Sequence, residues 1–164
     1  MRISISSDPV RLGIIGVGAQ GAMYSKLIRD AMVPDTSIGA LCDIDPSKRA
    51  VADRIGAPFF ASHLEMIESG QVDAVVTTVP HYLHPSMAID ALQRGVHALV
   101  EKPAGVYTRQ VQSLLDCARS NSQLTFAIMF NQRTNPLYVD LKALLDSGAL
   151  GALRHTSWII CQRP

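Results

Sequence analysis

Leu12-Gly13-Ile14-Ile15-Gly16-Val17-Gly18-Ala19-Gln20-Gly21 is the stretch that decides the fold. A short apolar run breaks into three glycines spaced G-x-G-x-x-G, and Met23, Leu27, Ile28 and Ala31 then recur at helical spacing. That is a strand, a turn and a helix in direct succession. In such a unit the first glycine serves the tight turn, the second lets backbone approach a pyrophosphate, and the third lets helix pack on strand. A helix opening near Ala19 offers its free amides and positive dipole end to phosphate. Asp43 closes the next apolar run, Ile38 to Cys42, twenty-two residues beyond Gly21. A carboxylate at about this spacing accepts from ribose hydroxyls and repels a 2′-phosphate. Turn and acid together predict a dinucleotide site that favours NAD, while Lys48 and Arg49 nearby leave NADP open.

Outward from this unit the same alternation continues. Apolar runs at Ala74-Val75-Val76, Val96 to Val100 and Phe126 to Phe130 are separated by amphipathic stretches: Ala88, Ile89 and Leu92, then Val111, Leu114, Leu115 and Ala118. Leu137, Leu141, Leu144 and Leu145 line a last helix. The strand runs are apolar throughout, as parallel strands covered on both faces require. Right-handed crossovers then give an α/β, Rossmann-like doubly wound parallel sheet. Local punctuation agrees. Asp45-Pro46 caps and opens a helix, Ser62 to Glu65 reads as a capping box, and Gly95 and Gly148 suit helix C-termini. Beyond Gly148 and Gly151, residues Leu153 to Cys161 with Trp158-Ile159-Ile160 read as a further strand. It joins an edge of the sheet, pairs with another chain, or begins a second domain. The boundaries predicted are an extension over 1–9, a nucleotide-binding domain over 10–150, and the start of a C-terminal α+β domain over 151–164.

With 164 residues the chain suits one ordinary domain. Fifteen basic against fourteen acidic residues leave a net charge of +1, which gives no support to a nucleic-acid partner. Cys42, Cys117 and Cys161 are too far apart for a C-x-x-C and describe neither a disulfide framework nor a metal site. Met1 to Val10 lacks the apolar core of a secretory signal, and every long uncharged stretch is broken by glycine, proline or histidine. The expectation is a cytoplasmic protein with no membrane span and no metal.

A methyltransferase shares a glycine-rich turn and a second-strand acid, so the turn alone leaves it as a rival. Glu101-Lys102-Pro103 separates the two, because it follows the strand 96–100 at the carboxyl edge, where open sheets place ligands. A lysine there can donate to a nicotinamide group or polarise a substrate oxygen. The order of four motifs, Gly16 to Gly21, Pro80-His81-Tyr82-Leu83-His84-Pro85, Glu101-Lys102-Pro103 and Gly148-Ala149-Leu150-Gly151, resembles the glucose–fructose oxidoreductase, inositol dehydrogenase and rhizopine catabolism family. The resemblance runs from about Val10 to about Ile160.

The resemblance implies a cofactor site made of Gly16, Gly18, Ala19, Gln20, Gly21, Asp43, Thr78, Val79, Pro80, His84, Glu101, Lys102, Asn131 and Arg133. Lys102 is the catalytic or substrate-orienting member. It implies an NAD(P)-dependent dehydrogenase that moves hydride between nicotinamide and a sugar, inositol or related polyol. Family enzymes place a proton-handling histidine in a second domain; the chain stops at Pro164 before any equivalent, and His155 does not match it. The expectation is therefore a truncated chain that binds cofactor with little turnover. The competing reading is a non-catalytic dinucleotide sensor or interaction module. The apolar stretch 153–161 also suggests a homodimer formed through it.

Overall fold

The computed structural model describes residues 8–161, so most of the predicted extension over 1–9 lies outside the described residues. The chain divides into two compact units, one reaching Met129 and one beginning at Phe130. The first holds a six-stranded sheet of β1 (Val10–Ile15), β2 (Thr36–Cys42), β3 (Phe59–Phe60), β4 (Ala74–Thr77), β5 (His97–Glu101) and β6 (Phe126–Met129). The strand order is β3-β2-β1-β4-β5-β6 and every pairing is parallel. The order reverses between β1 and β4. At such a point two crossovers leave in opposite directions and open a crevice beyond the carboxyl ends of the strands.

The strands are apolar on both faces because both are covered. Ile14, Leu41 and Val76 pack with Val17, Ile28 and Ala52, which come from the turn after β1, from α1 (Ala19–Arg29) and from α2 (Arg49–Ile55). Their chain neighbours Ile15, Cys42 and Val75 join the other core. There they meet Met66 and Ile67 of α3 (His63–Glu68), Ala88 and Leu92 of α4 (His84–Gln93), and Leu114 of α5 (Thr108–Ser120). Alternation along each strand thus feeds two cores instead of one core and a wet face. Each fully buried Ile or Leu contributes roughly 1.5–3 kcal/mol.

The caps largely follow the sequence. Asp45 accepts from the Ser47 amide at 2.9 Å and opens a 3-10 turn over Pro46–Lys48 that leads into α2. Gly95 lies at φ 79 just past α4. Ser62 departs from expectation, because its side chain makes no capping bond and only its carbonyl receives the Met66 amide. The inward stripe of α1 also differs. Ile28 is buried as expected, but Met23 is 44% exposed and the small residues Gly21 and Ser25 are buried instead, since the helix lies close to its own turn there. The two-residue strand β3 carries no periodic pattern and was not expected.

The second unit holds a 3-10 turn over Asn131–Thr134 and α6 (Pro136–Asp146), which Asn135 caps by accepting from the Leu137 amide at 3.1 Å. Gly148 follows α6 at φ 71. The strand expected over Leu153 to Cys161 is corrected: the segment has no strand pairing and its residues are exposed. Apolar content alone suggested a strand there, and within the described residues no neighbouring strand pairs with it. The Tyr138 and Trp158 rings lie 5.3 Å apart, centroid to centroid. Among the described residues no helix is long and apolar enough to cross a membrane.

Candidate functional site

Beyond Ile15 the chain reverses at Gly16, whose φ of +93 suits glycine. Its amide donates to the Cys42 carbonyl at 2.8 Å, and its carbonyl accepts the Thr78 hydroxyl at 2.6 Å. The turn is thereby sewn to β2 on one side and to the end of β4 on the other. A Cβ added at Gly21 would fall 1.9 Å from the Gly16 carbonyl oxygen, so α1 approaches its own turn too closely for any side chain. Gly18 is different. It is exposed, and an added Cβ there would meet nothing within 4 Å. That position faces open space beside the first turn of α1, as several exposed turn glycines of the chain do, so backbone there is reachable from the crevice. Gly18 also caps α1 with no side-chain bond. The amides of Ala19 and Gln20 in the first turn therefore lack intrahelical acceptors and remain available to an anion.

Asp43 stands beside this turn. Its Oδ2 accepts the Val17 amide at 2.6 Å and its Oδ1 accepts the Asp45 amide at 2.9 Å. These bonds fix the carboxylate and hold the glycine turn against β2. Each oxygen retains a further lone pair, so two ribose hydroxyls can still donate to it. A cavity of about 320 Å³ opens between Gly16, Gly18, Asp43, Thr78, Val79 and Pro80. Its size falls within the range of small-molecule sites, about 300–1,000 Å³. Ile44, His63, Tyr82 and Leu83 complete much of the wall. Cys42 lies at the same cavity, and its thiol is pushed up to about 12 by burial first and then by the charges of Asp43 and Glu65. It stays neutral there at physiological pH. Open amides, a fixed carboxylate and the gap at Gly18 fit the phosphate and ribose of a dinucleotide. Arg49 lays its guanidinium 4.9 Å from the centre of the Phe59 ring, a cation–π contact.

The rest of the predicted set divides. Thr78, Val79 and Pro80 reach the cavity as expected, although the Thr78 hydroxyl is already engaged by the turn. Glu101 is 9% exposed and turns its carboxylate toward α1, where Oε1 accepts from the Tyr24 hydroxyl and from Gln20 Nε2 at 3.3 Å. Its Oε2 accepts the Lys102 amide at 3.0 Å. Burial, then the bond to Glu101, pushes the Tyr24 hydroxyl up to about 12. Glu101 therefore couples the first turn of α1 to the backbone of Lys102. Lys102 itself is exposed at the carboxyl end of β5.

His84 is where the structure corrects direct ligation. Its ring is 1% exposed, with Nδ1 2.8 Å from the Pro103 carbonyl and Nε2 2.9 Å from the Val79 carbonyl. Both nitrogens face main-chain oxygens, so the ring ties the loop after β4 to the loop after β5 instead of reaching the crevice. Asn131 and Arg133 belong to the second unit. Arg133 there lines a larger hollow of about 1050 Å³ with Tyr138, Lys142, Trp158 and Ile160. Size does not make that hollow the site: its walls are mostly solvent-exposed side chains, whereas the smaller cavity has fixed backbone donors and a carboxylate. Sequence reading missed Tyr24 and His63. Nothing in the local pattern marks either one, because each acquires its neighbours only through the fold.

Comparison with known proteins agrees with this geometry. Residues 10–129 match the model of an oxidoreductase family with an NAD-binding Rossmann fold, named for glucose–fructose oxidoreductase, inositol dehydrogenase and the rhizopine catabolism protein. An inositol 2-dehydrogenase of Rubrobacter xylanophilus is 27% identical over 147 residues, covering 89% of this chain and 42% of that protein. The myo-inositol 2-dehydrogenase structure from Lactobacillus plantarum superposes with a TM-score of 0.82 at 25% identity, covering 88% of this chain and 43% of the other. The WlbA dehydrogenase of Chromobacterium violaceum, solved with NADH and UDP-GlcNAcA, gives a TM-score of 0.82 at 25% identity, over 90% of this chain and 42% of that one. This chain spans less than half the length of these relatives. It belongs to that oxidoreductase family.

Proposed function

We propose that this member of the NAD-binding oxidoreductase family holds NAD in the crevice beyond β1, β2 and β4, and serves a dehydrogenase acting on a polyol or sugar. The observation that carries the reading is the doubly anchored Asp43 on one cavity with Gly16 and Gly18, beside the uncapped amides of α1. Gly18, Ala19 and Gln20 would hold the pyrophosphate and Asp43 the adenosine ribose, with Gly16 and Gly21 shaping the turn. Thr78, Val79 and Pro80 would bound the site along β4. When bound, NAD supplies hydride transfer at C4 of its nicotinamide.

Lys102 would direct its ammonium at the oxygen of the reacting carbinol, where it can donate to or hold that oxygen. Glu101 would fix its backbone and His84 the loop that follows. The named activities of the relatives, inositol 2-dehydrogenases and a dehydrogenase solved with UDP-GlcNAcA, support a polyol or sugar as the substrate class. Those relatives are more than twice as long, and the residues of this chain correspond to their NAD-binding share. The sensor alternative is not favoured, since the family model is that of an oxidoreductase and the relatives are named as dehydrogenases. NAD is preferred to NADP because Asp43 is held in place by two amides and would face a 2′-phosphate. A cytoplasmic location and self-association through 153–161 complete the proposal.

Calorimetric titration with NADH tests the cofactor reading: saturable uptake supports it, and a folded protein that takes up none at millimolar cofactor overturns it. Acylation of surface lysines, mapped by mass spectrometry, tests the place of Lys102. NADH should slow modification of Lys102 while leaving Lys26, exposed on α1 and outside the cavity lining, unaffected; equal rates with and without NADH would remove Lys102 from the site.

A further inference from the structure

We propose that His63 reads the adenine base of the bound dinucleotide, through an Nδ1 lone pair whose availability is set by the Asp90 carboxylate. This inference rests on the cofactor reading above and adds the residue that selects the base. His63 opens α3 and lines the same cavity as Gly18 and Asp43, with its side chain 21% exposed. Its Nε2 lies 2.9 Å from Asp90 Oδ2. An ionised carboxylate only accepts, so in the neutral ring Nε2 carries the proton and Nδ1 presents a lone pair. Among the described residues no hydrogen bond engages Nδ1.

The carboxylate is itself held. Asp90 Oδ1 accepts from Arg94 Nη1 at 3.3 Å, and Arg94 Nε donates to Glu68 Oε1 at 2.9 Å. Four side chains from α3, α4 and the C-terminus of α4 thus fix one imidazole in one tautomer. A surface ion-pair chain of this kind contributes little to stability, yet it defines hydrogen-bonding sense at a cavity wall.

The place of His63 along the site follows from the other parts. The turn at Gly16 and Gly18 answers to phosphate and Asp43 to ribose. The wall that remains includes Ile44, Ala61, His63 and Leu83. Aliphatic groups suit the faces of a base, and His63 supplies a polar contact for its edge. Adenine presents a donor amino group, whereas a base with a carbonyl oxygen at that position presents an acceptor. The Nδ1 lone pair attracts the first and repels the second.

Nicotinamide hypoxanthine dinucleotide is the probe, because it puts a carbonyl acceptor in place of that amino donor, the ring nitrogen N1 beside it gaining a proton. The reduced forms of both are titrated into the protein, with binding read from nicotinamide fluorescence. NADH should bind about tenfold more tightly than the hypoxanthine analogue, the equivalent of one directional hydrogen bond. His63→Phe keeps a ring but no acceptor and should bring the two affinities within about twofold, mainly by weakening NADH. His63→Asn, which offers a side-chain carbonyl, should recover part of the preference. Circular dichroism verifies that both variants fold, and nitrogen-15 spectra of the imidazole should show Nδ1 unprotonated and shifted by NADH. Equal affinities in the wild-type protein, or a preference untouched by His63→Phe, would overturn the role of His63 while leaving the cofactor site standing. Failure of both dinucleotides to bind would overturn the cofactor reading itself.

Discussion

A methyl group added at Gly18 meets no protein atom within 4 Å, whereas one added at Gly21 falls 1.9 Å from the Gly16 carbonyl oxygen. The two alanine substitutions should therefore fail in different ways. At Gly18, with φ at −70, alanine is sterically acceptable. It loses the N-cap preference of glycine and gains from a less flexible unfolded chain, two effects of up to about 1 kcal/mol that oppose each other. Stability should thus change by less than about 1 kcal/mol. A phosphate that needs this backbone at close range would be pushed away, and losing one charge-assisted bond weakens binding by about 1.5–3 kcal/mol, or roughly ten- to a hundredfold. At Gly21 the approach is about 1 Å too short for any carbon, so α1 and its turn must separate at a cost of about 1–3 kcal/mol or more. That corresponds to a melting temperature lower by roughly 2–4 °C for each kcal/mol. Thermal melts and NADH titrations on both variants decide the matter. Gly18→Ala with wild-type affinity would show that the open position serves no ligand, and Gly21→Ala with wild-type stability would show that the turn is not packed as described.

Asp43→Asn keeps an acceptor for the Val17 amide but removes the charge; NADPH affinity relative to NADH should rise at least about fivefold, and an unchanged ratio would contradict the role of Asp43. Cys42 is buried with its thiol pushed up to about 12, while Cys161 is exposed, so iodoacetamide at pH 8 should label Cys161 first; mass spectrometry showing the reverse order would refute that picture. Asp73 takes a two-point bond from Arg11, with Oδ1 to Nη2 at 2.6 Å and Oδ2 to Nε at 3.0 Å, and that bond, its largest influence, holds the Asp73 carboxyl below its ordinary 3.8. The folded state therefore binds the proton more weakly than the unfolded state, so this stabilisation is complete above 3.8 and disappears as pH falls through the lower folded value. Asp73→Asn should cost up to about 1 kcal/mol at pH 7, because the pair is half-exposed, and the gap from wild type should close in strong acid; a gap constant with pH would refute the linkage.

What the sequence made legible was whatever local chemistry dictates. The glycine spacing, Asp43 at the end of β2, the Asp45 cap and the left-handed glycines 95 and 148 each follow from backbone sterics or a nearby hydrogen bond, and each is found in place. Strand ends differed by only one or two residues, as assignments of element ends commonly do. The misreadings share a cause: the deciding contact is made by the fold and leaves no mark on the local pattern of residues. Met23 looked like a core residue of α1, but the close approach of the helix at Gly21 buries Gly21 and Ser25 instead, beside the expected Ile28. His84 looked like a ligand, but its ring is buried with both nitrogens facing the carbonyls of residues 79 and 103. Tyr24 and Glu101 meet across 77 residues, and His63 meets Asp90 across 27. No periodicity reports such pairs. The apolar stretch after Gly151 has strand-like composition, yet composition cannot supply the pairing strand that would make it one.

Amide spectra recorded during an NAD titration test the central claim most directly. The account predicts saturable shifts concentrated at Val17, Gly18, Ala19 and Gln20 and at the backbone of Asp43 and Ile44, all following one binding curve. Shifts that bypass the glycine turn, or that gather around Tyr138 and Trp158 in the second unit, would contradict it.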